Sequence, residues 1–115
     1  MSSKEHRKTT VKSLARAPAF AALGDKTRLS LVAELSGGES RSITQLTEGH
    51  KLSRQAITKH LLVLEDAGIV HSVQAGRQNL FQLNPKPFKE MKEYLAFVSE
   101  QWDDALARLK SFVED

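Results

Sequence analysis

Five residues near the middle of the chain carry groups suited to reading a polar surface. Ser53, Arg54, Gln55, Thr58 and Lys59 place a hydroxyl, a guanidinium, a carboxamide, a second hydroxyl and an ammonium in one short run. Such groups bond base edges and phosphate oxygens. A helix face of this kind is, taken alone, more often merely solvated, so the flanking segments decide what it does. No nucleophile, base and acid stand together in the sequence, and no glycine loop is built to cradle phosphate, so an enzyme is not expected.

The segments around that run position it. Ser53 is a strong helix N-cap. Ala56, Ile57, Leu61, Leu64 and Ala67 recur mostly at steps of three and four, one apolar helix face. Gly68 suits the left-handed stop after it. Upstream, Asp25 caps a helix Lys26–Leu35 whose apolar positions are Leu29, Val32, Ala33 and Leu35, and Gly37-Gly38 breaks it. Ser42 opens a helix Ile43–Glu48 with Ile43 and Leu46 inward, and Gly49-His50-Lys51-Leu52 returns tightly to Ser53. Helix, glycine turn, polar-faced helix is the helix-turn-helix order. Beyond Gly68 the period drops to two. Val70–Ala75 and Asn79–Leu83 are expected strands with Val73, Phe81 and Leu83 inward, joined by the turn Ala75-Gly76-Arg77-Gln78 with Gly76 at positive φ. A hairpin directly after such a helix is a wing, and Arg77 and Gln78 at its tip either lie against phosphates or a minor groove or are only solvated.

Three positions stay open at this level. His60 follows Lys59 and is either a packing histidine bonded to the wing or a neighbouring turn, or a phosphate contact. Leu62 is apolar beside the polar face, and packing on the wing is the expectation for it. Pro18 is read as the first position of a short helix Ala19–Leu23, or as a kink in a longer one from about Thr10. The basic stretch Met1–Lys12 is a frayed tail or an arm that touches a polyanion.

After Pro85 and Pro87 one helix is expected to run to about Val113. Phe88, Met91, Leu95, Val98, Trp102, Ala105, Leu109 and Phe112 alternate steps of three and four, a heptad seam. At about 1.5 Å per residue it is on the order of 40 Å long, more than a domain with a radius of gyration of about 13 Å covers by itself. A second copy related by a two-fold axis is the economical partner, and a helix folded back over its own domain is the alternative. The two-fold pair sets two recognition helices about 34 Å apart, suited to a near-palindromic duplex.

Composition agrees. A chain of 115 residues that is 40% hydrophobic suggests one domain. The expected divisions are a tail over 1–17, a winged helix-turn-helix over 18–84 and a dimerisation helix over 85–115. There is no long apolar run for a membrane span and no secretory pattern, so a cytoplasmic protein is expected. Without cysteine, disulfides and thiolate metal sites are excluded. The net charge of +3 is uneven: residues 1–84 hold 12 Lys+Arg against 7 Asp+Glu, residues 85–115 hold 5 against 7. Basic charge therefore travels with the candidate recognition helix, as double-stranded DNA requires of a partner.

Four segments carry a family resemblance. They are Phe20-Ala21-Ala22-Leu23-Gly24-Asp25-Lys26-Thr27-Arg28-Leu29, Leu52-Ser53-Arg54-Gln55-Ala56-Ile57-Thr58-Lys59-His60-Leu61, Leu64-Glu65-Asp66-Ala67-Gly68-Ile69-Val70, and Gly76-Arg77. In order and spacing the chain resembles the ArsR/SmtB family of bacterial winged-helix repressors. The resemblance implies a mostly α fold with a small β-hairpin. It also implies a homodimer built by the first and last helices, Phe20 included, and a repressor that leaves its operator on a signal. The positions of the metal-sensing cysteine pair fall on Ser42 and Thr44, and the last helix has no histidine. The metal-independent branch is therefore expected, without cofactor, with an inducer ligand or protein left open. The alternative is a winged-helix module that docks another protein through its last helix, with Trp102 and Phe112 as anchors.

Overall fold

Three short polar side chains set the helical frame. The computed structural model describes residues 15–114, beginning in a helix α1 over residues 15–23. Asp25 opens α2, Lys26–Leu35, by accepting the Arg28 amide at 3.0 Å. The two-residue strand β1, Arg41–Ser42, leads into α3, Ile43–Glu48, through a capping box. In it Ser42 Oγ accepts from the Gln45 amide at 3.2 Å, and Gln45 Oε1 accepts from the Ser42 amide at 2.9 Å. Ser53 opens α4, Arg54–Asp66, by accepting the Ala56 amide at 3.1 Å. Each cap pairs a donor that the first turn leaves free.

The end of α4 is equally defined. Gly68, at φ +77°, donates its amide to the Glu65 carbonyl at 2.9 Å, and Ile69 donates to Leu64 at 2.9 Å. These two bonds make a Schellman ending, which needs the left-handed residue that glycine supplies. The strands β2, Val70–Ala75, and β3, Gln78–Leu83, follow. Asn84 then joins three elements. Its amide and its Nδ2 donate to the carbonyls of Ile69 and Gly68, and its Oδ1 accepts the Lys86 amide at the start of α5, Pro85–Glu114.

The antiparallel sheet has the order β1-β3-β2, with Val70 opposite Leu83, Ser72 opposite Phe81 and Val73 opposite Leu80. Directly opposed residues share a face. Phe81 is buried and Leu83 half-buried on the core side with Val70, whereas Val73 lies with Leu80 on the outer face and is exposed. The inward reading of Val73 is thereby corrected: register, not hydrophobicity, selects the face. A second correction concerns α2. Leu31, Val32 and Leu35 are buried, while Leu29 is 54% exposed and Ala33 is also open. The inward face includes Arg28, whose Nε donates to the Ala22 carbonyl at 2.6 Å. A charged residue on the core side hides the true register from a hydrophobic pattern. A third concerns Pro18, which sits inside α1 and not at its first position. The stretch Met1–Lys12, and Thr10 within it, lies outside the described residues.

The core joins Leu31, Leu35, Leu46, Ile57, Leu61, Leu64 and Ile69, all fully buried, to Phe81 and Met91. Only the first turns of α5 reach it. Phe88 packs on the core, and Tyr94 meets Phe20 edge to face at 5.8 Å. Beyond them α5 runs clear, and the molecule measures 66 × 31 × 21 Å.

Candidate nucleic-acid interface

The burial of Ile57, Leu61 and Leu64 fixes which way α4 turns the rest of its side chains. Arg54, Gln55 and Lys59 are exposed on the opposite side, with Thr58 half-buried between them. The Thr58 hydroxyl donates to the Arg54 carbonyl at 2.8 Å, which leaves its oxygen as an acceptor. Ser53 accepts the Ala56 amide with one lone pair, which leaves its hydroxyl proton and a second lone pair for a ligand.

The wing comes back to the head of this helix. Ala75 pairs with Gln78, leaving Gly76-Arg77 as a two-residue turn in which Gly76 has φ +64° and Arg77 does not share the positive φ. That is the type II′ pattern. Arg77, Gln78 and Asn79 then line a cleft of about 200 Å³ together with Arg54, Ser42 and Thr44. Arg54 Nη1 lies 3.5 Å from Thr44 Oγ1, at the limit of a hydrogen bond. Two guanidinium groups thus border one open, polar cleft between wing and helix, an arrangement that favours an anionic ligand. Neither Thr44 nor Asn79 is among the interface residues expected from the sequence. They reach the cleft because β1 pairs with β3, Arg41 opposite Phe81 and Ser42 opposite Leu80, and that long-range pairing leaves no local signal.

His60 is held apart from this group. Its Nδ1 is 3.5 Å from Arg28 Nη1 and 3.7 Å from Asp25 Oδ2, so its ring faces the turn between α1 and α2. Arginine only donates, so toward Arg28 the Nδ1 atom acts as acceptor. The Asp25 carboxyl beside it is held below its ordinary value. The Arg28 amide bond is the main cause, partial burial opposes it, and the charges of Arg28 and His60 help. The other ring partners are Glu34 Oε2, 3.4 Å from His50 Nε2, and the Gln82 amide, 2.7 Å from His71 Nε2. Among the described residues no three His, Asp or Glu side chains gather as a metal cluster.

The seam residues divide by depth. Met91 belongs to the domain's own core and Phe88 packs against it. Phe20, Leu23, Met91 and Leu95 line an apolar groove of about 480 Å³ between α1 and α5. Val98 and Trp102 border a smaller one further along, and Leu109 and Phe112 are exposed, Phe112 by 82%. Among the described residues no helix is long and apolar enough to cross a membrane.

Known proteins share this build. A family model for a helix-turn-helix domain matches residues 23–73. The HTH-type transcriptional regulator YuzN of Bacillus subtilis is 40% identical over 78 residues, covering 63% of this chain and 85% of that protein. The solved structure of an ArsR-like transcriptional regulator from Rhodococcus sp. RHA1 is 34% identical, with a TM-score of 0.74, covering 87% of this chain and 93% of the other. The homodimeric winged helix-turn-helix DNA-binding domain of Mb0332 from Mycobacterium bovis is only 17% identical but has the same fold, with a TM-score of 0.60 over 78% of this chain and 80% of its own. With its capped helices, its wing and relatives of this similarity, the chain belongs to the ArsR family of winged helix-turn-helix transcriptional regulators.

Proposed function

We propose that the protein is a homodimeric repressor of the cytoplasm that holds a near-palindromic operator and blocks transcription by occupying it. The observation that carries this reading is the convergence of Arg54, at the head of the exposed α4 face, and the wing-tip residues Arg77 and Gln78 on one cleft. Arg54, Gln55, Thr58 and Lys59 read bases or the nearest phosphates. Ser53, Arg77 and Gln78 fix the backbone. His60 braces α4 against the α1–α2 turn, which its contacts to Asp25 and Arg28 favour over a phosphate contact. The homodimer is supported by the uncovered apolar side of α5 and by the homodimeric Mycobacterium bovis domain of the same fold. Ser42, with its hydroxyl tied into the α3 cap, and Thr44 stand at the positions where metal-sensing relatives carry thiolates, so no metal site of that kind is assigned here. An inducer would act on the α1–α5 groove or through a protein.

The test is selection of bound duplexes from a random library, followed by footprinting of the winner. An inverted repeat with half-sites about one helical turn apart is expected. Gln55→Ala is expected to relax specificity at one base pair by about 1–3 kcal/mol. Lys59→Ala is expected to weaken all sequences alike and to lower the salt slope by about one. If neither change alters binding, α4 is not the reading element. A protein that stays monomeric at micromolar concentration and shows no salt-sensitive DNA affinity belongs instead to the protein-docking alternative, with exposed Trp102 and Phe112 as its anchors.

A further inference from the structure

Leu62 has no structural reason to be apolar. Half of its surface is open to solvent, so the wing does not close over it. It is absent from the α1–α5 groove and from the residues packed on the core. In α4 it follows Gln55 and Lys59 at steps of four and three, which puts all three on one ridge of the helix. The core face, Ile57, Leu61 and Leu64, lies on the other side. An exposed leucine is therefore a direct continuation of the side chains that face duplex DNA.

We propose that Leu62 reads the 5-methyl group of a thymine in the major groove. The inference rests on the DNA-binding reading of α4 and deepens it. Thymine is the one base whose major-groove edge offers an apolar group, and apolar side chains are what recognise it. Leu62 stands seven residues beyond Gln55, about 10 Å along the helix axis. At about 3.4 Å per base step, the thymine lies about three base pairs from the base that Gln55 reads. A guanidinium or ammonium at this position would reach a phosphate or a guanine edge, and a leucine can bond neither. The leucine makes this turn of α4 a specificity element.

The probe is the duplex recovered by selection, with each thymine replaced in turn by deoxyuridine, which removes the methyl group and leaves pairing intact. Wild-type protein is expected to lose about fourfold in affinity at one position per half-site, the worth of one methyl group taken out of water. That position is expected about three base pairs from the one relaxed by Gln55→Ala. In Leu62→Ala the deoxyuridine penalty is expected to vanish, while Val63→Ala, a substitution one step round the helix, retains it. Both positions are exposed enough for the fold to be kept, which thermal unfolding checks. If Leu62→Ala weakens binding but no deoxyuridine position does so in wild type, the leucine touches sugar and the proposal is overturned. It is equally overturned if the penalty persists in Leu62→Ala, because another residue then reads the methyl group. Loss of all salt-sensitive binding in wild type would remove the DNA reading itself, a different and recognisable failure.

Discussion

Asp25 serves two elements with one carboxylate. It caps α2 through the Arg28 amide and stands 3.7 Å from the His60 ring on α4. Its pKa lies below the ordinary 3.8, chiefly because the bond from the Arg28 amide favours the charged form. The sign follows from linkage. A carboxyl with a depressed folded pKa contributes stability that is complete above the unfolded value and is lost as pH falls through the folded one. Asp25→Asn keeps a good cap and removes the charge. The variant is expected to melt below wild type at pH 7, with the gap closing as the solution becomes more acid than the ordinary carboxyl range. Thermal unfolding of the two proteins across pH measures it, and a gap that persists undiminished below the ordinary carboxyl range would refute this role of the Asp25 charge. His60→Ala provides the complementary reading at the same scale. If His60 braces α4 and touches no phosphate, its loss lowers the melting temperature and leaves the salt slope of operator binding unchanged.

Elements were legible in the sequence where a residue acts on its own neighbours. Asp25, Ser42 and Ser53 announce three helix starts, and Gly68 and Gly76 mark a helix stop and a turn, because caps and positive φ are local chemistry. What the sequence concealed depends on partners far along the chain. The strand β1 is two residues long and exists only through its pairing with β3. Val73 looked inward until the register set it opposite Leu80. Leu31 was passed over for Leu29 because Arg28, a charged residue, occupies the core-side position one turn before Leu31 and Val32. The candidate site divides the same way: the α4 face was readable, whereas Thr44 and Asn79 enter it through β1. Ser42 tests the link between the two kinds of information, since it is the last residue of β1 and the cap of α3. Ser42→Ala removes the side-chain acceptor for the Gln45 amide from a buried position and is expected to cost about 1 kcal/mol in urea unfolding. Because the same residue lines the cleft, operator affinity is expected to fall along with stability.

At the scale of the molecule the decisive fact is shape. A chain of this length packed into one domain has a radius of gyration of about 13 Å, yet this one measures 18.9 Å, because α5 runs beyond the core that Met91 anchors. The protruding part is not polar all round. Leu95, Trp102, Leu106, Leu109 and Phe112 are all exposed in the single chain, and a run of large apolar side chains along one helix marks an interaction surface. If a second copy covers it, charge placed at its outer end separates the protomers without disturbing either fold, because Leu109 is exposed and takes no part in the domain's own core or the α1–α5 groove. Leu109→Glu is thus expected to sediment as a monomer at micromolar concentration with its helix content and melting cooperativity retained. DNA binding reports the same event independently. A monomer meets one half-site and neutralises about half as many phosphates, so the log–log salt slope should fall to about half its wild-type value as operator affinity drops. A Leu109→Glu protein that still sediments as a dimer with an unchanged slope would show that the protomers meet elsewhere. The outer stripe of α5 would then be free for a different partner.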